Sequence, residues 1–197
     1  MDYCNGGDLE TYVQCQGKLS KEISLEEKNF IAYCVAHGIH SIHGKHQMHN
    51  DLSPRNVLLE RDIKTLKLIR ARIGDFGVNR ILLEGPIEKP KRDITTCYLA
   101  PELATGVFDY QSDVWSFGMI LFFLYAGKHA HEQFSLPNIL SGKVKAEISN
   151  MLKGVIQPNC LTLLLKCISV NPAERPKTSE ILAHNTFYPF ERTFTNQ

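Results

Sequence analysis

A mainly helical domain with a few short strands, of α+β type, is what this sequence predicts, and three observations predict it. Apolar residues recur at helical spacing after Ser24. The run from Phe117 to Ala126 is apolar on every side, and Asn56 to Leu59 and Leu66 to Phe76 read as short strands. The 197 residues fit one domain or one large lobe of a bigger one, and 43% hydrophobic with 22% charged residues is a composition that can bury a core.

The elements follow in order. MDYCNGGDLETYV reads as a strand end, a turn at Gly6-Gly7 and a short helix with Leu9, Tyr12 and Val13 on one side. Ser24 followed by Glu27 has capping-box spacing, and Phe30, Ile31, Cys34, Val35, Ile39 and Ile42 then predict a long half-buried helix ending near Gly44. The two strand-like stretches can pair. Residues 75 to 102 contain Gly85, Pro86 and Pro90, which discourage helix and ladder alike, so a long functional surface segment is expected there. Helices are expected near 112 to 127, 135 to 153, 159 to 169 and 178 to 184. Glu10, Lys18, Lys21 and Glu22 read as a solvated face.

Lys plus Arg number 22 against 21 for Asp plus Glu, a net charge of +1, so no nucleic-acid partner is expected. The 6 cysteines include no C-x-x-C pair and no apolar leader precedes them, which argues against a secreted disulfide framework and for a cytoplasmic setting. Phe117 to Ala126 is far short of the roughly 20 residues that cross a bilayer, so no membrane span is expected. His37, His40, His43, His46 and His49 recur every third residue, which invites a metal reading. On a helix that series walks around the cylinder instead of lining one face, so zinc is disfavoured. Cys160 and Cys167 read as core.

Three short strings carry chemistry: His49-Asn50-Asp51-Leu52-Ser53-Pro54-Arg55-Asn56, then Asp75-Phe76-Gly77, then Ala100-Pro101-Glu102. Their order and spacing resemble the eukaryotic protein kinases, whose catalytic loop H-R-D-L-x-x-x-N precedes D-F-G and A-P-E. Asp113-Val114-Trp115-Ser116-Phe117-Gly118 and Arg175 in NPAERP resemble two further family features. One tripeptide alone would be worth little; three in order with matching flanks are a strong signal. The resemblance covers the chain as hinge (residues 1–8) and C-terminal lobe (residues 9–197), a protein-kinase-like α+β fold.

It implies ATP and Mg²⁺ as cofactors and a protein as substrate. Phosphoryl transfer needs hard oxygen ligands for the cation and a base beside the incoming hydroxyl. Asn56 and Asp75 would be the metal ligands and Asp51 the base. Gly77 would permit the turn that aims Asp75, with Phe76 packing beside His49. The backbone of Asp2 and Cys4 would hold adenine, with Asp8 near the ribose and Leu58 beneath the ring. Glu102 and Arg175 would form a buried ion pair, and Asp113 would brace the catalytic-loop backbone.

The sequence also departs from the pattern. No Gly-rich loop and no V-A-I-K strand lies in this chain, which implies poor phosphate transfer by it alone; a piece of a longer kinase is preferred over a natural product without the small lobe. Asn50 replaces an arginine that grips a phosphorylated activation segment in much of the family. Ser53 and Arg55 pull toward tyrosine specificity, whereas Thr95 in the substrate loop pulls toward serine/threonine, the favoured reading. The long stretch between Asn56 and Asp75 predicts a protruding turn near Arg61 to Lys67. A non-catalytic kinase-like binding module is the alternative.

Overall fold

The computed structural model describes residues 4–74, 97–107 and 109–190. Helix α1 (Leu9–Lys18) begins at Asp8, whose carboxylate accepts the Thr11 N–H at 2.8 Å, and it buries Leu9 and Val13. Helix α2 (Leu25–His43) starts at Ser24, whose hydroxyl accepts the Glu27 N–H at 3.1 Å. The Glu27 side chain does not close a capping box: its Oε1 accepts the Tyr12 hydroxyl at 2.8 Å and Arg61 Nη2 at 3.4 Å. A capping residue of α2 thereby ties α1 to the strand that follows.

Strand β1 (Val57–Arg61) pairs antiparallel with β2 (Leu68–Ile73), Val57 opposite Ile73, with a register break between Glu60 and Arg61. The break accompanies the turn expected from the long connection. Asp62 Oδ1 accepts the N–H groups of Lys64 and Thr65, at 3.1 and 2.6 Å, and the turn leaves Ile63 and Leu66 exposed. β1 starts at Val57 because Asn56 closes a 3₁₀ turn (Pro54–Asn56) ahead of the ladder, and it runs on past Leu59 to Arg61, whereas β2 is shorter than its strand-like stretch. On the other edge of β1, the Gly6 N–H donates to the Leu59 carbonyl at 2.9 Å and the Leu59 N–H to the Gly7 carbonyl at 2.8 Å.

The axis of the molecule is α3 (Tyr110–Ala126), in which every residue from Ser112 to Tyr125 is buried. An all-round apolar helix of this length has to be surrounded, and α2 and the later helices surround it. The stretch expected as one helix over 135 to 153 is two, α4 (Leu136–Leu140) and α5 (Lys145–Leu152), because the chain turns through Gly142 at φ 72°. Helix α6 (Pro158–Cys167) lies so close to α3 that a Cβ at Gly118 would stand 2.8 Å from Cys167 Cβ and 2.7 Å from Ile168 Cγ2. Cys160 and Cys167 are buried there. The last helix, α7 (Thr178–Leu182), packs on α2, where His40 Nδ1 meets the Thr178 hydroxyl at 3.0 Å. Among the described residues, no helix is long and apolar enough to cross a membrane.

Candidate active site

Residues 49–56 join α2 to β1, and one buried carboxylate sets their path. Asp113, in the first turn of α3 and wholly buried, accepts the N–H of His49 through Oδ2 at 2.9 Å and that of Asn50 through Oδ1 at 2.8 Å. His43 Nε2, from the last turn of α2, contacts the same Oδ2 at 2.9 Å. Two backbone donors and one imidazole satisfy a carboxylate that would be costly to bury alone. Asn50 sits at φ 60°, a left-handed conformation that asparagine tolerates better than most residues.

With the start of the loop held, the Asn56 side chain turns back onto the backbone of Asp51. Asn56 Nδ2 donates to the Asp51 carbonyl at 2.7 Å, so Oδ1 is left as the amide atom able to face a cation. The Asn56 carbonyl accepts the Gly74 N–H at 2.8 Å, and His49 Nε2 lies 3.2 Å from the Gly74 carbonyl. The residue before Asp75 is therefore clamped from both sides. Asp51 and Asn56 are half-buried and His49 is buried. The Asn56 amide oxygen is a hard donor of the kind that fits Mg²⁺. Asp75, Phe76 and Gly77, as well as Asp2 and Thr95, lie outside the described residues.

The candidate nucleotide edge runs along residues 4–8 and β1. Asp8 bridges to Leu58, and Leu58 Cδ1 approaches within 2.7 Å of where a Cβ on Gly74 would be. Both Asp8 oxygens are committed to Thr11, Oδ1 to its N–H and Oδ2 to its hydroxyl, each at 2.8 Å. Cys4 is partly exposed.

Behind the site, Glu102 and Arg175 form a bidentate pair, Nη1 to Oε1 at 2.6 Å and Nη2 to Oε2 at 2.8 Å. Arg175 also donates to the Ser169 carbonyl at 2.8 Å and the Gln111 carbonyl at 2.7 Å, and its guanidinium lies over Trp115. Burial works to raise the Glu102 carboxyl, but its bonds from Arg175 and from the Ser112 hydroxyl outweigh that and hold it below the ordinary carboxylate value.

Two contributions escaped the sequence reading. His43 was one of five regularly spaced histidines with nothing to single it out, and its partner lies 70 residues on. Glu10, read as a solvated residue, is buried: its carboxylate accepts Arg55 Nε at 2.9 Å and Nη2 at 3.2 Å. No local charge pattern reports a partner 45 residues away. Two others of the series go to separate neighbours, His40 to Thr178 and His49 to Gly74.

Comparison with known proteins agrees with this arrangement. Residues 1–187 match the family model described as the protein kinase domain. The chain is 31% identical over 190 residues to the serine/threonine-protein kinase Nek8 of Danio rerio, covering 93% of this chain and 25% of that protein. It is 31% identical over 192 residues to the serine/threonine-protein kinase ATG1a of Arabidopsis thaliana, covering 93% and 29%. It is 29% identical over 188 residues to the tyrosine-protein kinase receptor svh-2 of Caenorhabditis elegans, covering 92% and 16%. The chain thus spans less than a third of the length of these relatives. A match over nearly its whole length, on a fold with a loop fixed by Asp113 and a Glu102–Arg175 clamp, identifies the chain as a member of the protein kinase family.

Proposed function

We propose that this chain is the hinge (residues 1–8) and C-terminal lobe (residues 9–197) of a cytoplasmic enzyme that transfers the ATP γ-phosphate to a protein hydroxyl, serine or threonine in preference to tyrosine. The observation that carries the reading is the catalytic loop itself: Asp113 holds its first backbone N–H groups, and Asn56 is bonded to Asp51. Bound Mg-ATP supplies the phosphoryl group and a cation that neutralises its oxygens. The Asp51 carboxylate accepts the proton of the incoming hydroxyl and orients it. The amide of Asn56, oriented by its bond to the Asp51 carbonyl, and Asp75 hold the cation. Leu58 offers an apolar floor for a purine, and the backbone of Asp2 and Cys4 offers its polar edge. By its likeness to the family motif, Thr95 is assigned to the substrate loop. Two of the relatives bear serine/threonine names and one a tyrosine name, which supports the preference only by weight of likeness.

The test is a phosphorylation assay of the whole protein in which this chain occurs, wild type against Asp51→Asn. The expected loss is about two to four orders of magnitude in rate. Wild-type phosphorylation that Asp51→Asn leaves intact would sink the assignment. One observation favours a second reading, a non-catalytic docking module: both Asp8 oxygens are taken by Thr11, which competes with a ribose role. Calorimetry separates the two, since Mg-ATP binding that Asp75→Ala abolishes excludes a module without a nucleotide.

A further inference from the structure

Glu10 stands between two donors. Both its oxygens take Arg55, the residue immediately before Asn56 in the catalytic loop, Oε2 accepting Nε at 2.9 Å and Oε1 accepting Nη2 at 3.2 Å. On the other side, His129 Nε2 lies 3.9 Å from Glu10 Oε1. His129 is 2% exposed, and its Nε2 has no hydrogen-bond partner. The ring is stacked on Phe123 at 4.4 Å and on His131 at 5.3 Å, so it has little freedom to turn elsewhere. Its Nδ1 meets the Tyr98 hydroxyl at 2.7 Å. Tyr98 is anchored in turn, its carbonyl accepting the Ser116 hydroxyl of α3 at 2.7 Å.

The chemistry of the partners selects one protonation pattern. If the ring proton sat on Nδ1, the Nε2 lone pair would face a carboxylate 3.9 Å away, and two acceptors would confront each other in a buried site. If the Tyr98 hydroxyl donates to Nδ1 instead, Nε2 carries the proton and points it at Glu10. Glu10 is then required as a carboxylate, because both neighbours are donors; a glutamine would turn an NH₂ group toward one of them. Burial pushes the His129 imidazole below its ordinary value, against the pull of Glu10 and Glu132 upward, with His131 and Arg55 opposing.

We propose that Glu10 is a positioning residue of the catalytic loop, shared by Arg55 and the Nε2–H of His129, and that this relay couples Tyr98, just ahead of Ala100-Pro101-Glu102, to the stretch carrying Asp51 and Asn56. It rests on the kinase reading for its effect on turnover, though not for its existence. The relay offers a route between the two segments that does not pass through residue 50, where asparagine stands.

Ring-nitrogen NMR on the whole protein, wild type against Glu10→Gln and Tyr98→Phe, reads the relay without turnover. The wild type is expected to hold the Nε2–H tautomer of His129; both substitutions are expected to mix the tautomers and to shift the backbone amides of Arg55 and Asn56. In kinetics, Glu10→Gln is expected to lower kcat about tenfold, as a small misplacement of reacting groups does. KM for ATP should stay within about twofold, the split that marks a lost transition-state contact. A Glu10→Gln protein with an unchanged His129 tautomer and unshifted Arg55 amide overturns the relay whether or not the enzyme turns over. Shifts without any change in kcat overturn the positioning role. An inactive wild type with the relay intact counts against the kinase reading and supports the coupling.

Discussion

Two segments are fastened to the same central helix by different means. The catalytic loop is gripped by Asp113, a buried carboxylate that among the described residues has no arginine or lysine partner and is satisfied by the N–H groups of His49 and Asn50 and by His43. The segment around Pro101–Thr105 is gripped by Glu102, whose partner is a guanidinium that also gathers carbonyls from Ser169 and Gln111. A grip on backbone donors is indifferent to the side chain it holds. That is why asparagine can occupy position 50 without loosening the loop, whereas the Glu102–Arg175 grip depends on the identity of both residues.

The largest expected effect tests the backbone grip. Asp113→Ala orphans the buried N–H of His49, the half-buried N–H of Asn50 and the His43 contact, and should lower stability by about 3–5 kcal/mol in chemical denaturation. A loss below about 1 kcal/mol would mean that water replaces the carboxylate and that the loop is not held as described. Next comes the side-chain grip. Arg175→Leu takes the guanidinium away from Glu102 and from the carbonyls of Ser169, Gln111 and Val170 and should cost about 3 kcal/mol. Glu102→Gln keeps one acceptor and should cost about 1–2 kcal/mol. The double variant should cost less than the sum, as residues in direct contact do.

pH sharpens the contrast further. The Glu102 carboxyl lies below its ordinary value when folded, so its contribution is fully present above the unfolded value of about 4.3 and is lost as pH falls through the lower folded value. Stability measured from pH 6 down to about pH 3 should therefore fall less steeply in Glu102→Gln than in the wild type. The smallest effect concerns residue 50. Asn50→Gly should be within about 0.5 kcal/mol of wild type, and Asn50→Ala should cost about 1 kcal/mol for its left-handed backbone.

Legibility in the sequence followed the range of the interactions. Helix α2 was readable from Ser24 and the periodic Ile31, Cys34, Val35 and Ile39, since capping and burial of one face are local. The buried α3 was readable from its unbroken apolar run. The break at Gly142 was missed because periodicity on both sides continues through it, and only the backbone angle there reveals the turn. In the site, the order of three strings was legible while the grips were not. His43 and Asp113 are 70 residues apart and Glu10 and Arg55 are 45 apart, and a polar residue in a helix carries no mark of whether its partner is water or another helix. Asp8, expected only near the ribose, caps α1 through a local bond to Thr11, for which the preference of aspartate for helix starts is the sequence signal.

The near-contact of α3 with Cys167 and Ile168 at Gly118 has a consequence for how this molecule can vary. A single methyl there would wedge apart the two helices, and Asp113 and Trp115 ride on the one that would tilt. Both fastenings would then loosen together although neither had been touched. Charged groups at the rim can drift one by one; the bare spot at the centre is where drift has to stop.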